Sequence, residues 1–219
     1  MIKRIAILIL LAAVAAHASD TRVLVDTEWG TASGLGYKLP HLAAGTTVEQ
    51  PLGNHWEAQG EVSVSPDRKY ITNDGKSAQA GATVLFWPIQ RIGLTGGASY
   101  TRLWTSQFQK GELFPSAGIV VRDTLDGSPG RFYVRYLFPT GCQWGADCVI
   151  QSSRLSGVEG FQEFQVWPHW RIGFRGAWWR FAEQGNPLDR AAGRTWHNTG
   201  TAAMVIRYGF RGANSEASY

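Results

Sequence analysis

The chain has 219 residues, enough for one domain of ordinary size, with 21 Lys and Arg against 17 Asp and Glu. The basic residues are dispersed rather than run together, which excludes the footprint of a nucleic-acid binder. Ten Trp, ten Phe, seven Tyr and 26 Gly make the chain aromatic and glycine-rich.

The first 18 residues read MIKRIAILILLAAVAAHA. Lys3 and Arg4 form a short basic start, residues 5–16 are unbroken apolar, and Ala16-His17-Ala18 is an A-x-A-like cleavage site before Ser19. This is the pattern of a secretory signal peptide, and the apolar run is too short to span a membrane. Residues 1–18 are therefore set apart from the fold, 19–219 form one domain, and 211–219 are a short tail. Loss of Lys3 and Arg4 lowers the formal charge from +4 to +2. After residue 18 no apolar run is long enough for a transmembrane helix. Export also places Cys142 and Cys148, in GCQWGADC, in an oxidising compartment where they can close a small disulfide loop. Two thiols without a nearby His pair make a poor zinc site. An exported chain of this composition is either a soluble β-sandwich or an outer-membrane barrel.

Alternation of apolar and polar residues predicts strands along the whole chain. Residues 22–39 keep one apolar parity through Val23, Val25, Trp29, Leu35, Tyr37 and Leu39, and residues 42–50 alternate moderately. Residues 55–64 set Trp56, Ala58, Gly60, Val62 and Val64 against His55, Glu57, Gln59, Glu61 and Ser63. Residues 77–87 set Ala78, Ala80, Ala82, Val84 and Phe86 against Gln79, Gly81, Thr83 and Leu85. Residues 91–104 set Ile92, Leu94, Gly96, Ala98 and Tyr100 against Arg91, Thr95 and Ser99. In residues 113–123, Ala117, Ile119 and Val121 oppose Arg122. Residues 131–138 place Phe132, Val134, Tyr136 and Phe138 opposite Arg131, Tyr133 and Arg135. Within 149–166, Val158, Phe164 and Val166 oppose Glu159 and Glu163, although Gln162 breaks the apolar face. In VWPHWRIGFRGAWW (166–179), Trp170, Ile172, Phe174, Gly176 and Trp178 oppose Arg171, Gly173 and Arg175. Residues 196–210 end the series, with Ala202, Met204, Ile206, Tyr208 and Phe210 opposite His197, Thr199, Thr201 and Arg207.

Tight connections at PLGN, PIQ, TLDGSPG and PHW carry the Pro, Gly, Asn and Asp that turns require, and they recur every ~40 residues as a hairpin repeat does. The skeleton W-P-x-x-R-I-G occurs twice, at 87–93 and 167–173, and both copies read as the corner of such a hairpin. Mostly longer polar links lie between them: SPDRKYITNDGK, TSQFQKGE, PTGCQWGADC and EQGNPLDRAAGR. Short turns alternating with long loops are the pattern of an outer-membrane barrel. Counting from residue 22 gives ten strands; counting from 55 gives eight, with 19–54 as an extension. PLGN fits the hairpin repeat and favours ten. The expected fold is an all-β, antiparallel, up-and-down transmembrane barrel, with the sandwich as the competing architecture.

The polar face carries Glu57, Glu61, Arg91, Arg122, Arg131, Arg135, Glu159, Glu163, Arg171, Arg175 and Arg207. In a narrow barrel these fill the lumen as a network of opposite charges and plug it, because the rigid arginine fork can meet two carboxylates. The apolar face is nearly free of charge. Arg102 and Arg180 fall on it near strand ends, where long side chains snorkel. Trp56, Phe86, Tyr100, Trp104, Trp170, Trp178, Tyr208 and Phe210 are expected at the two membrane interfaces. Trp170 and Trp178 lie ~26 Å apart along a strand, or roughly 20 Å along the membrane normal after tilt, close to the ~25 Å apolar band.

With its signal peptide, alternating hairpins, aromatic strand ends and a last strand closing in Tyr208-Gly209-Phe210, the chain resembles the small outer-membrane β-barrel proteins, the group that includes OmpA-type and opacity-type barrels. The resemblance covers about residues 22–210. Members usually end at the closing aromatic residue, whereas RGANSEASY follows here. The resemblance implies an outer-membrane location, with membrane lipid and the barrel-assembly and chaperone machinery as partners.

Some barrels of this kind modify lipid A, and their deacylases carry an H-x-S pair on a late strand. The nearest sequence here, Arg180-Phe181-Ala182, has neither group. The other candidate, His197-Asn198-Thr199, offers a poorer nucleophile and no orienting carboxylate. His41, His55 and His169 fall at strand ends and read as interfacial; no pair has metal-ligand spacing. Asp67, Asp74, Asp147 and Asp189 are too dispersed to signal a calcium site, and GLTGG lacks the context of a phosphate loop. No cofactor is indicated. Four readings remain in competition: a non-enzymatic barrel acting through its outer loops, a narrow pore, a lipid-modifying enzyme using His197, and a soluble ligand-binding sandwich.

Overall fold

A computed structural model gives the fold and describes residues 21–34, 37–70, 73–104, 109–125, 127–138, 156–181 and 197–210. Ten strands follow one another: β1 (Arg22–Gly34), β2 (Tyr37–Pro51), β3 (Trp56–Tyr70), β4 (Asn73–Phe86), β5 (Ile92–Trp104), β6 (Gln109–Leu125), β7 (Ser128–Leu137), β8 (Ser156–Trp167), β9 (Trp170–Phe181) and β10 (His197–Gly209). Each is antiparallel to its neighbours in sequence, and β1 pairs with β10 to close the sheet into one barrel. The ten-strand up-and-down barrel expected from the alternation is the fold observed. The eight-strand count fails because β1 and β2 belong to the wall, and the sandwich fails because there is one closed sheet.

At one end the connections are tight, and Gly53 (φ 96°) and Gly127 (φ 81°) take the left-handed conformation that side chains disfavour. At the other end the expected long links are only partly present. SPDRKYITNDGK is mostly strand: β3 and β4 stay paired past a bulge between Ser65 and Arg68, through Lys69↔Asp74 and Tyr70↔Asn73. TSQFQKGE likewise yields its second half to β6. Polar residues remove the apolar alternation without removing backbone hydrogen bonding, so the strands continue beyond the apolar region. The stretches 139–155 and 182–196, the cysteines, the signal segment and the tail lie outside the described residues.

Period-two geometry sorts the side chains into two environments. Leu94, Ile119, Phe174, Trp29 and Val25 face outward and are exposed, whereas Leu85, Val120, Phe161, Leu137 and Val205 face inward and are buried. The fold is therefore turned inside out relative to a soluble domain, with large apolar side chains outside and charges within. Room for the inward side chains comes partly from glycine. A Cβ on Gly118 would meet the Cα of Arg135 at 2.6 Å and the Val134 carbonyl oxygen closer still.

Candidate functional site in the barrel interior

The inward rows build two stacked layers of ion pairs. In the layer nearer the tight turns, Glu49 and Glu163 are the hubs, 1 % and 2 % exposed. Glu163 accepts from Arg207 at 2.9 Å, Arg131 at 3.2 Å and Arg171 at 3.3 Å. Glu49 pairs with Arg131, with Arg171 at 3.6 Å and with Arg22 at 3.7 Å. Arg131 also donates to Glu57 at 2.9 Å. In the layer above, Arg135 meets Glu159 through Nη2 at 2.9 Å and Nε at 3.1 Å, and reaches Glu61 at 3.3 Å. Arg175 on β9 reaches past β10 to Glu28 on β1 at 2.5 Å and approaches Glu159 at 3.6 Å. The Tyr133 hydroxyl donates to Glu159 at 3.3 Å. Phe161 lies between the layers, with the Arg207 and Arg175 guanidinium carbons 4.6 and 5.2 Å from its ring centre.

Buried charges are tolerable only when paired with good geometry, and here each of these carboxylates meets at least one arginine fork. Among the described residues, two carboxylate oxygens are buried without a hydrogen-bond partner: Asp26 Oδ1, on a residue 4 % exposed, and Glu49 Oε2, which has only the longer ion-pair contacts. The packing is dense. The void between the layers, lined by Tyr133, Arg135, Phe161 and Arg207 among others, measures about 20 Å³, room for about one water. A larger hollow of about 230 Å³ opens at the turn end, with Arg22, Arg91, Arg122, Arg131 and Arg171 on its wall.

Of the residues expected in the lumen network, the structure brings together Glu57, Glu61, Arg131, Arg135, Glu159, Glu163, Arg171, Arg175 and Arg207. Arg91 and Arg122 lie apart from the two layers, at the turn-end rim. Arg91 is exposed in the turn before β5. Arg122 faces Arg131 directly across the β6–β7 pair, a like-charge juxtaposition. Its guanidinium stacks 3.8 Å from the Trp87 ring centre and donates to the Gln90 carbonyl oxygen at 3.2 Å.

Five network members escaped the sequence reading: Arg22, Asp26, Glu28, His41 and Glu49. Asp26 and Glu28 lie on the parity opposite Val25 and Trp29, and Glu49 opposite Val48, so the signal was present in the alternation. His41, expected at the interface, is instead buried, its Nε2 3.4 Å from Glu28. The strand β2 continues past it, so a residue read at a strand end sits well inside the wall. His55 and His169 do lie at the turn end, where their Nδ1 atoms donate to the carbonyl oxygens of Trp87 (2.8 Å) and Gly209 (3.1 Å). His197 opens β10 opposite Phe181; its side chain is outside the described set.

Outward aromatics pair at the turn end and also at the far end of β7, where Tyr136 meets Phe138 edge-on with ring centres 5.1 Å apart. Trp56 packs on Phe86 with ring centres 4.5 Å apart, Trp170 on Tyr208 at 4.9 Å, and Tyr208 on Phe210 at 5.5 Å. Tyr100 and Trp178 are exposed farther along their strands, and the Trp104 side chain is outside the described set. The two copies of W-P-x-x-R-I-G differ. Trp87 is 2 % exposed inside the barrel, whereas Trp167 is 64 % exposed outside. The register shift between Gln165 and Trp167 turns the second copy outward.

No protein-family model matches the chain, and no curated protein matches it. Among solved structures, it is similar to the translocator domain of the autotransporter NalP from Neisseria meningitidis (14% identity, TM-score 0.42, covering 90% of this chain and 92% of that one). It is also similar to Neisserial surface protein A (13% identity, TM-score 0.39, 87% and 97% covered). A third is Ail, the attachment invasion locus protein of Yersinia pestis (11% identity, TM-score 0.33, 87% and 97% covered).

Proposed function

We propose that the chain is an integral outer-membrane barrel, closed to solutes by its own side chains, with a structural or surface-interaction role exerted through the connections opposite the tight turns. The observation that carries this reading is the inversion of the fold. Leu94, Ile119 and Phe174 are more than half exposed, while Glu49, Glu163, Arg171 and Arg207 are 5 % exposed or less. Water does not favour a continuous apolar exterior of this size, but lipid does. Closure also leaves no free strand edge along the paired region of the wall, where backbone hydrogen bonds are met between neighbouring strands. Membrane lipid is then the medium around the outward face, and the barrel-assembly and chaperone machinery the route of insertion. Leu52, Ile89, Leu125, Trp167 and Phe210 place one large exposed apolar side chain at each tight turn and at the end of β10, which suits a turn end seated at the interface.

The test is twofold. The protein is expected to require detergent for extraction and to shift in gel mobility on heating; full solubility in detergent-free buffer overturns the membrane reading. Wild-type protein in planar bilayers is expected to be electrically silent; steady single-channel openings overturn the plug. The reading also assigns no catalysis to His197, so lipid A acyl patterns are expected to be the same with and without the gene.

A further inference from the structure

We infer that the hollow at the turn end is a binding site for a phosphoryl anion. It measures about 230 Å³ and is walled by Arg22, Arg91, Arg122, Arg131 and Arg171 against the carboxylates of Glu57, Asp123 and Glu163. The hollow is more than ten times the void of about 20 Å³ that holds about one water, so a tetrahedral oxyanion fits with waters around it.

Arg122, Arg131 and Arg171 are held in place before any ligand arrives, and Arg91 stands exposed beside them. The Arg122 guanidinium is fixed flat on Trp87 at 3.8 Å, and one edge is anchored on the Gln90 carbonyl oxygen. Trp87 itself is 2 % exposed, so the platform does not move freely. Arg131 and Arg171 are held from below by Glu49 and Glu163. A fixed guanidinium loses little freedom on meeting an oxyanion and offers it paired donors. Asp123 is the opposing charge nearest the rim in sequence. It accepts from the Thr124 amide at 2.8 Å, which occupies part of its acceptor capacity. The overall balance of the wall is cationic, and the ligand class follows from it: a small, multiply charged oxyanion rather than a sugar or a cation.

Two sources present this chemistry, free phosphate and the phosphate of a lipid headgroup at the rim marked by Ile89 and Leu125. Phosphorus NMR on the full-length protein in phosphatidylglycerol-containing bicelles, with inorganic phosphate added at low ionic strength, reads both at once. Selective broadening of the inorganic line assigns the site to the free anion, and broadening of the lipid line assigns it to the headgroup. In either case the R91Q/R122Q variant is expected to weaken the effect at least tenfold. That variant leaves both ion-pair layers intact, and its heat-dependent gel shift confirms folding. A second pair, R91K/R122K, keeps the charge but loses the paired donors, and is expected to recover only part of the binding. If neither line broadens, or if folded R91Q/R122Q behaves as wild type, the site does not exist. The measurement reads binding alone and is independent of where the barrel resides.

Discussion

Glu163→Gln is the sharpest test of what holds the interior together. The substitution keeps the shape of the side chain and removes one charge from beneath three arginines, at 2.9, 3.2 and 3.3 Å. At an effective dielectric of about 20, each of those contacts carries about 5–6 kcal/mol of gross attraction. Much of that is cancelled by the cost of burying Glu163 and by its repulsion from Glu49. The net loss expected for breaking a buried pair is about 3–5 kcal/mol. The Gln amide adds to the damage, because its NH₂ group must face guanidinium donors. Glu57→Gln is the internal comparison: among the described residues Glu57 has a single ion pair, to Arg131, and its side chain is 12 % exposed, so about 1 kcal/mol is expected. Denaturant unfolding in lipid vesicles, followed by tryptophan emission, measures both. If Glu163→Gln loses no more stability than Glu57→Gln, the layered network is not what stabilises the fold. A charge-neutral double replacement, E163M/R207M, is expected to recover part of the loss because both buried charges go together.

Three further outcomes follow from the geometry. Phe174→Arg places a charge on the outward face at a residue 65 % exposed, and it is expected to cost about 2–4 kcal/mol in vesicle unfolding; a neutral result refutes lipid contact there. Gly118→Ala drives a Cβ into the Arg135 backbone and is expected to abolish the heat-dependent gel shift, whereas Gly60→Ala, with nothing within 4 Å of the new Cβ, folds as wild type. Replacing Glu61, Arg135, Glu159 and Arg175 together by Ala removes two acids and two bases from the upper layer, and is expected to produce channel openings where the wild type gives none; a folded but silent variant refutes a closing role for the upper layer and leaves closure to the lower one.

Parity carried most of the wall into view from the sequence, because the apolar exterior and the charged lumen impose the same two-residue period on every strand. Three kinds of feature stayed hidden. The first is charge on weakly alternating strands: Asp26, Glu28 and Glu49 sit on the correct parity, but their neighbours include Thr and Ala, which are compatible with either side. The second is strand length. Residues 66–70 and 73–76 are polar, so alternation fades there while pairing continues. The third is local register. Trp87 and Trp167 share a motif and lie on opposite sides of the wall, a difference made by one irregular position in β8 that leaves no mark in composition. The rim positions of Arg91 and Arg122 belong to the same kind, since parity gives a side of the sheet but not a depth.

The seam between β1 and β10 has a kinetic consequence. It pairs Leu24 with Gly209 and Gly34 with Thr199, so nearly the whole chain separates the partners. The entropy of closing so long a loop is on the order of 5 kcal/mol, and until it is met both terminal strands present open edges that can pair with other chains. The link from Arg175 on β9 to Glu28 on β1 forms only when the two ends have come round to each other. That ion pair works as a latch across the last joint: it contributes nothing to a growing, open sheet and raises the barrier to reopening once the ring is complete.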